Sequence, residues 1–253
     1  MNIYGLSDSG MCRAENQDCY AFVVLPEMKG KAAAHLAVVC DGMGGAHSGE
    51  TASRLATAVF VEQMVQEPTR DERALKNAVI AANKAVYRKS QEEERFSGMG
   101  TTLVSVLVRE NEVEAAYVGD SRAYLFRGGE LSQLTHDHSY VQSLVDKGEI
   151  TQEEAAIHPM KNLIMRAVGV KKAVAPDVFS FEWQEGDKIL LCSDGFSNEV
   201  STEQTVSILS SGVPLEQMAR ELIGAANCAG GDDNITVLLL ENTKENEWNV
   251  ECQ

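Results

Sequence analysis

The stretch TTLVSVLVRENEVEAAYVGDSRAYLFRGGELSQL, Thr101 to Leu134, decides the class of fold. It holds four strand-like runs in succession: Thr101–Val108, Val113–Val118, Ala123–Phe126 and Leu131–Leu134. They are rich in Val, Leu, Thr and aromatics and are bounded by Gly, Asp and Asn, which favour turns. Arg127-Gly128-Gly129-Glu130 reads as a tight hairpin turn, because two glycines accept the positive φ that a primed turn demands. Working outward, Leu36–Cys40 precedes this block, and Val178–Trp183, Lys188–Cys192 and Asn234–Leu240 follow it, all with the same strand character. The helical patterns fall outside these runs. Ala52, Leu55, Ala56 and Val59 predict an amphipathic helix over about Ser48 to Gln66, and Pro68 separates it from a second over about Arg70 to Gln91. A third lies near Leu215 to Cys228. Helices grouped in pairs around strands joined by short turns argue against repeated βαβ crossovers. An α+β sandwich of antiparallel sheets with helices outside is expected.

Composition narrows the function classes. The chain has 253 residues, 44% hydrophobic and 24% charged, the balance of an ordinary globular protein. Its 22 Lys+Arg against 38 Asp+Glu give a net charge of −16, which repels nucleic acid and anionic membrane. No apolar run is long enough to span a bilayer, and Met1 to Gly10 lack the basic and apolar regions of a secretory signal. A cytoplasmic domain, monomeric for want of a heptad or an exposed apolar helix, is the expectation. Cys12, Cys19, Cys40, Cys192, Cys228 and Cys252 contain no Cys-x-x-Cys pair. None is followed by a phosphate loop ending in Arg, so a cysteine nucleophile is not expected; Cys40 and Cys192 end apolar runs and read as buried thiols.

The chemistry-bearing residues stand where the strands stop. Val38-Val39-Cys40 runs into Asp41-Gly42, Tyr117-Val118 into Gly119-Asp120, and Leu190-Leu191-Cys192-Ser193 into Asp194-Gly195, while Gly231-Asp232-Asp233-Asn234 opens the last apolar run. A single Asp-Gly is most often a turn. Several carboxylates gathered at one sheet edge repel one another unless a cation sits among them. An all-oxygen donor set without His or Cys selects a hard divalent ion, Mg²⁺ or Mn²⁺.

Arg13-Ala14-Glu15-Asn16-Gln17-Asp18, Asp41-Gly42-Met43-Gly44-Gly45, Gly100-Thr101-Thr102, Gly119-Asp120-Ser121-Arg122, Thr135-His136-Asp137-His138-Ser139, Ser193-Asp194-Gly195 and Gly231-Asp232-Asp233-Asn234-Ile235-Thr236 occur in this order. The series resembles the bacterial branch of the type 2C (PPM-type) metal-dependent Ser/Thr protein phosphatases, over about Gly5 to Leu240. The resemblance implies an α-β-β-α sandwich of two antiparallel β-sheets flanked by helices. It implies one catalytic domain over residues 1–241, a flap at about 139–168 that borders the site and helps choose substrates, and a polar tail at 242–253. It implies that Asp41 bridges two Mn²⁺ or Mg²⁺ ions, that the Gly42 carbonyl ligates one, and that Asp194 and Asp233 complete the shell of the other. Asp18 would hold metal-bound water, Asp120 with Asp194 would form a third, weaker metal site, and Arg13 would clamp the substrate phosphate. The implied reaction is hydrolysis of phosphoserine and phosphothreonine in proteins by direct attack of a metal-bridging water, opposing a bacterial Ser/Thr kinase.

Two positions depart from better-known patterns: Met43 stands where the eukaryotic branch often has His, and Gln17 where many members have Glu. The first leaves the leaving-group acid unassigned between a metal-bound water and His47. His136-x-His138 lacks a third ligand at zinc spacing and reads as structural, and Arg122 and Arg166 read as salt-bridging residues. Two other readings exist beside the favoured one: a catalytically inactive phosphoprotein- or metal-binding regulator, and a hydrolase of small phosphate esters. A dead copy should have lost carboxylates, yet Asp41, Asp194 and Asp233 are all present.

Overall fold

The computed structural model describes residues 1–27, 33–45 and 47–243; most of the tail expected at 242–253 lies outside them. Two sheets form, and every strand pair within them is antiparallel. One takes β2 (Asp18–Leu25), β3 (Ala34–Met43), β5 (Leu103–Arg109), β6 (Glu112–Val118) and β9 (Asp177–Glu182) in that order, with the two-residue β4 (Gly100–Thr101) on the end of β3. The other runs β1 (Asn2–Asp8), β11 (Ile235–Glu241), β10 (Lys188–Cys192), β7 (Arg122–Arg127) and β8 (Glu130–Gln133).

The period-2 geometry of a strand sorts the core into three layers. Leu36, Val38 and Cys40 of β3 pack outward under α1 (Ser48–Gln66) and α2 (Glu72–Glu92), while Ala37 and Val39 face the second sheet. In β11, Leu238 and Leu240 join that inner layer, and Val237 and Leu239 pack under α7 (Leu215–Ala229). Central strands buried on both faces read as unbroken apolar runs, which is why the sequence shows β3, β10 and β11 so plainly. The observed architecture is the expected α-β-β-α sandwich.

Short elements complete it. Between β8 and β9 lie α3 (Tyr140–Asp146) and α4 (Gln152–Ala156), the latter closed by a capping box between Thr151 and Glu154. α5 (Asp194–Ser197) and α6 (Thr202–Leu209) separate β10 from α7. Strands β1 and β2 carry no counterpart among the expected runs. Every residue of β1 is only half-buried, so its apolar alternation is diluted by Tyr4, Gly5 and Ser7. α2 starts at Glu72, where Asp71 caps it by accepting from the Ala74 N–H at 2.9 Å.

Four connections carry the chain between sheets: β1 to β2, β6 to β7, β8 to β9, and β9 to β10. The first two of these crossings hold Arg13 and Asp120. A separate staple holds the segment after Leu163. The Asn83 side chain, buried on α2, accepts from the Gly169 N–H at 2.7 Å and donates to the Lys171 carbonyl at 3.1 Å. Asn83→Leu leaves the buried Gly169 N–H unpaired, at a cost of about 1–3 kcal/mol. A melting temperature lower by roughly 2–10 °C is expected in thermal denaturation; an unchanged one means this staple does not hold the segment.

Candidate metal centre

The register of β2 on β3 sets the first two carboxylates side by side: Asp18 and Asp41 are Cα partners. Gly42 N–H donates to the Gln17 carbonyl just beyond them at 3.2 Å, so Asp18 and Asp41 form the alternate, non-hydrogen-bonded kind of pair, in which side chains stand closer. Alternation from Ala37 and Val39 turns Asp41 toward the space between the sheets. The same rule turns Ser193 and Thr236 inward from the facing sheet, where their hydroxyls each donate to Asp18 Oδ2 at 2.7 Å.

The remaining candidates arrive from the neighbouring strand ends. Asp194 is the first residue of α5, directly after β10, and Asp120 lies in the crossing after β6. Asp233 precedes β11, and Arg13 Nη2 meets its Oδ2 at 2.8 Å. One cleft is lined by Arg13, Gln17, Asp41, Gly42, Met43, Asn162, Ile164, Asp194 and Asp233. A second hollow beside it is lined by Asp120, Arg122, Asp137, Gln142, Lys161 and Asp194. Asp194 is common to both, and the 139–168 segment contributes to each, through Asn162 and Ile164 on one side and Gln142 and Lys161 on the other.

Burial and mutual repulsion raise these carboxyls. Asp41 lies well above the usual aspartate range, first because it is cut off from water and then because Asp18, Asp194 and Asp120 surround it. Asp120 is well above it by burial and by Asp194 and Asp137, and Asp194 is raised chiefly by burial. Asp18 is pushed up to about 7 by burial, against the lowering effect of its two hydroxyl donors. Asp18 Oδ1 and Asp120 Oδ1 are buried and accept no hydrogen bond.

This donor set fits a hard divalent cation. It is all oxygen, Asp18 and Asp120 are buried and each keeps one oxygen without a donor, and half-buried Asp41, Asp194 and Asp233 line the cleft beside them. Gly42 is part of the fit: a Cβ there would stand 2.1 Å from the Gly49 carbonyl oxygen and 2.6 Å from that of Gln17, so only glycine lets the backbone pass. Among the described residues, no three His, Cys, Asp or Glu side chains already stand as a closed metal-ligand set. Filling the site requires opening the Arg13–Asp233 pair.

Several positioning groups are absent from the sequence reading as site residues. Asn234 Nδ2 donates to the carbonyls of Ser9 (3.0 Å) and Glu15 (2.9 Å), and its Oδ1 accepts from Gln17 N–H at 2.8 Å, which ties the Arg13 loop to the Asp233 loop. Thr102 Oγ1 accepts from Asp41 N–H at 2.9 Å and shares a hydrogen bond with Ser121 Oγ at 2.6 Å. The signal available for both was their place inside the quoted motifs. His47 pairs with Glu15 at 3.2 Å and is 72% exposed, outside the residues that line the cleft. His136 pairs with Asp146 and His138 with Asp177, so the two histidines do not converge. Arg122 forks onto Asp137 with contacts of 2.7–3.1 Å, and Arg166 meets Asp177 at 2.9 Å. Cys40 and Cys192 are fully buried, and burial pushes both thiols up, Cys192 to about 12.

Residues 13–237 match the family model described as protein phosphatase 2C. The chain is 41% identical over 237 residues to the serine/threonine protein phosphatase PstP of Mycobacterium tuberculosis, covering 93% of this chain but 44% of that one. It is 40% identical over 211 residues to the serine/threonine phosphatase stp of Listeria monocytogenes, covering 81% of this chain and 84% of that one. A crystal structure of the catalytic domain of PstP in complex with 2 manganese ions superimposes with a TM-score of 0.81 at 39% identity, covering 94% of this chain and 96% of that one. This chain thus spans under half the length of PstP and most of the Listeria relative. With the family model covering nearly all of the sandwich, the chain belongs to the protein phosphatase 2C family.

Proposed function

We propose that this chain is a Mn²⁺- or Mg²⁺-dependent protein serine/threonine phosphatase that hydrolyses phosphoserine and phosphothreonine by direct attack of water. The observation that carries this reading is the convergence of Asp41, Asp194 and Asp233 beside Arg13 in one cleft, with Asp18 paired to Asp41 in the sheet behind them. Its relatives' names as Ser/Thr phosphatases support the reaction class.

Asp41, the Gly42 carbonyl, Asp194 and Asp233 would hold two ions, and Asp120 with Asp194 a third; the first four line one cleft and the last two the hollow beside it. The ions supply positive charge that neutralises the phosphoryl oxygens and acidifies the attacking water. Everything else falls to the protein. Arg13 offers a planar, permanently charged fork to the phosphoryl oxygens once it leaves Asp233. Asp18, fixed by Ser193 and Thr236 on one oxygen, presents the free Oδ1 as a proton acceptor. Cys40 and Cys192, at the strand ends beside the carboxylates, are buried thiols with raised pKa and so poor nucleophiles for a phosphoenzyme route. Residues 1–241 act as one catalytic domain, with 139–168 as the flap beside both hollows. The partners are phosphorylated proteins and a kinase that makes them. The protein works as a cytoplasmic monomer, and no helix among its described residues is long and apolar enough to cross a membrane. Intact Asp41, Asp194 and Asp233 disfavour an inactive regulator.

Hydrolysis of p-nitrophenyl phosphate and of a phosphothreonine peptide with Mn²⁺ tests the proposal. Activity is expected to vanish in EDTA and in Asp194→Ala, with the peptide the better substrate. Activity that survives EDTA rejects the reading, and a preference for the small ester rejects protein substrates.

The carboxyl shifts give a second expectation. Asp18 binds a proton in the folded chain up to about pH 7 but in the unfolded chain only up to its ordinary value of 3.8. Its contribution to stability is therefore complete at low pH and is lost as pH rises through that window. In EDTA, the melting temperature should fall between about pH 5 and 7.5. Excess Mn²⁺ should reverse that trend and add about 2.7 kcal/mol at a hundred times its Kd. A metal-free chain that gains stability over this range contradicts the cluster as described.

A further inference from the structure

The turn that carries Asp120 is tied at its far end by Ser121, whose Oγ shares a hydrogen bond with Thr102 Oγ1, while at its near end Gly119 has no side chain. Gly119 sits at φ +111°, and a Cβ there would meet the Thr102 side chain at 2.6 Å, so this position takes glycine and nothing else. What fixes it comes from the loop before the flap. His138 N–H donates to the Gly119 carbonyl at 2.9 Å, and Gly119 N–H donates to His138 Nδ1 at 3.0 Å. A ring nitrogen that accepts from an amide carries no proton, so the proton is on Nε2, which donates to Asp177 Oδ2 at 3.0 Å. Arg166 Nη1 also stands 3.1 Å from Nε2, but its two protons have acceptors in Asp177 Oδ1 (2.9 Å) and the Ala175 carbonyl (3.1 Å). The ring is stacked on Tyr117 at 5.0 Å and 15°. The same residue anchors the flap at its base: the His138 carbonyl accepts from Met165 N–H at 2.7 Å, and Ser139 bridges Ile164.

We propose that His138 is a positioning residue that locks the Gly119–Asp120 turn to the base of the flap, and so sets the affinity of the Asp120–Asp194 hollow for its divalent ion. The proposal rests on the reading of Asp120 as a metal carboxylate. Its working atom is Nδ1, the acceptor for Gly119, while Nε2 selects the tautomer through Asp177.

The two amide replacements separate these atoms. In His138→Asn the side-chain oxygen replaces Nδ1 as acceptor; in His138→Gln the amide nitrogen replaces Nε2 as donor and the acceptor is gone. Calorimetric titration of Mn²⁺ into metal-free protein is the readout. The weakest binding phase should lose about 10–100-fold in affinity in His138→Gln. It should stay within about threefold of wild type in His138→Asn, and the tight phase should hold in both. An unchanged weak phase in His138→Gln, or equal loss in both variants, overturns the proposal. An Asp120→Asn control divides the claims. If it leaves the isotherm unchanged, the ion site at Asp120 fails and the proposal with it. If it removes a weak phase that His138→Gln retains, only the role of His138 fails. Should His138→Gln not fold, Asp177→Ala removes the acceptor that keeps the proton on Nε2, from a side chain 49% exposed. A several-fold weaker last phase then supports the lock, and an unchanged one rejects it.

Discussion

Like charges held together away from water are the constraint on which this molecule turns. Asp18, Asp41, Asp120 and Asp194 are each raised first by burial and then by a neighbouring carboxylate, which for Asp194 is Asp233, and such a group is costly to hold unless something positive stands within it. Packed this closely, the carboxyls hold protons more readily than free aspartates do, and a cation competes for the same oxygens. Of the nearby guanidinium groups, Arg122 is committed to Asp137, and Arg13 meets the cluster only at Asp233. The cluster is thus costly to the apo fold and ready for a divalent ion in the same step.

The sandwich exists in a form that delivers this cluster. Its two sheets meet through side chains of alternating residues, and where apolar alternation ends, the next inward positions are Asp41, Ser193 and Thr236. Asp18 bridges the layers there, paired with Asp41 in its own sheet and bonded to two hydroxyls from the other. Arg13 and Asp120 join from crossings between sheets, where the backbone is free of the ladder and can turn a side chain to the edge.

Much of this is legible in the residues. The runs around Val38, Val104, Leu190 and Leu238 declare strands because burial on both faces leaves no polar alternation to confuse them. The ordered Asp-Gly motifs at their ends carry both the site and the family. Strands β1 and β2 do not declare themselves: their residues are mostly half-buried, and Gly5 is there because the Tyr20 ring leaves no room for a Cβ, a demand seen only across 15 residues. The short helices α3 to α6 lack the length for a periodic pattern. His138 and Asn234 act through backbone groups of distant loops, and such bonds leave no pattern in a single sequence.

The central claim is that cations replace protons in this cluster. Calorimetric Mn²⁺ titrations near pH 6.5, repeated in buffers of different ionisation enthalpy, count the protons released on binding. The account predicts release of about one proton or more per chain. It also predicts loss of both binding and release in Asp41→Asn. Tight Mn²⁺ binding with no proton release, or binding that survives Asp41→Asn unaltered, would contradict it.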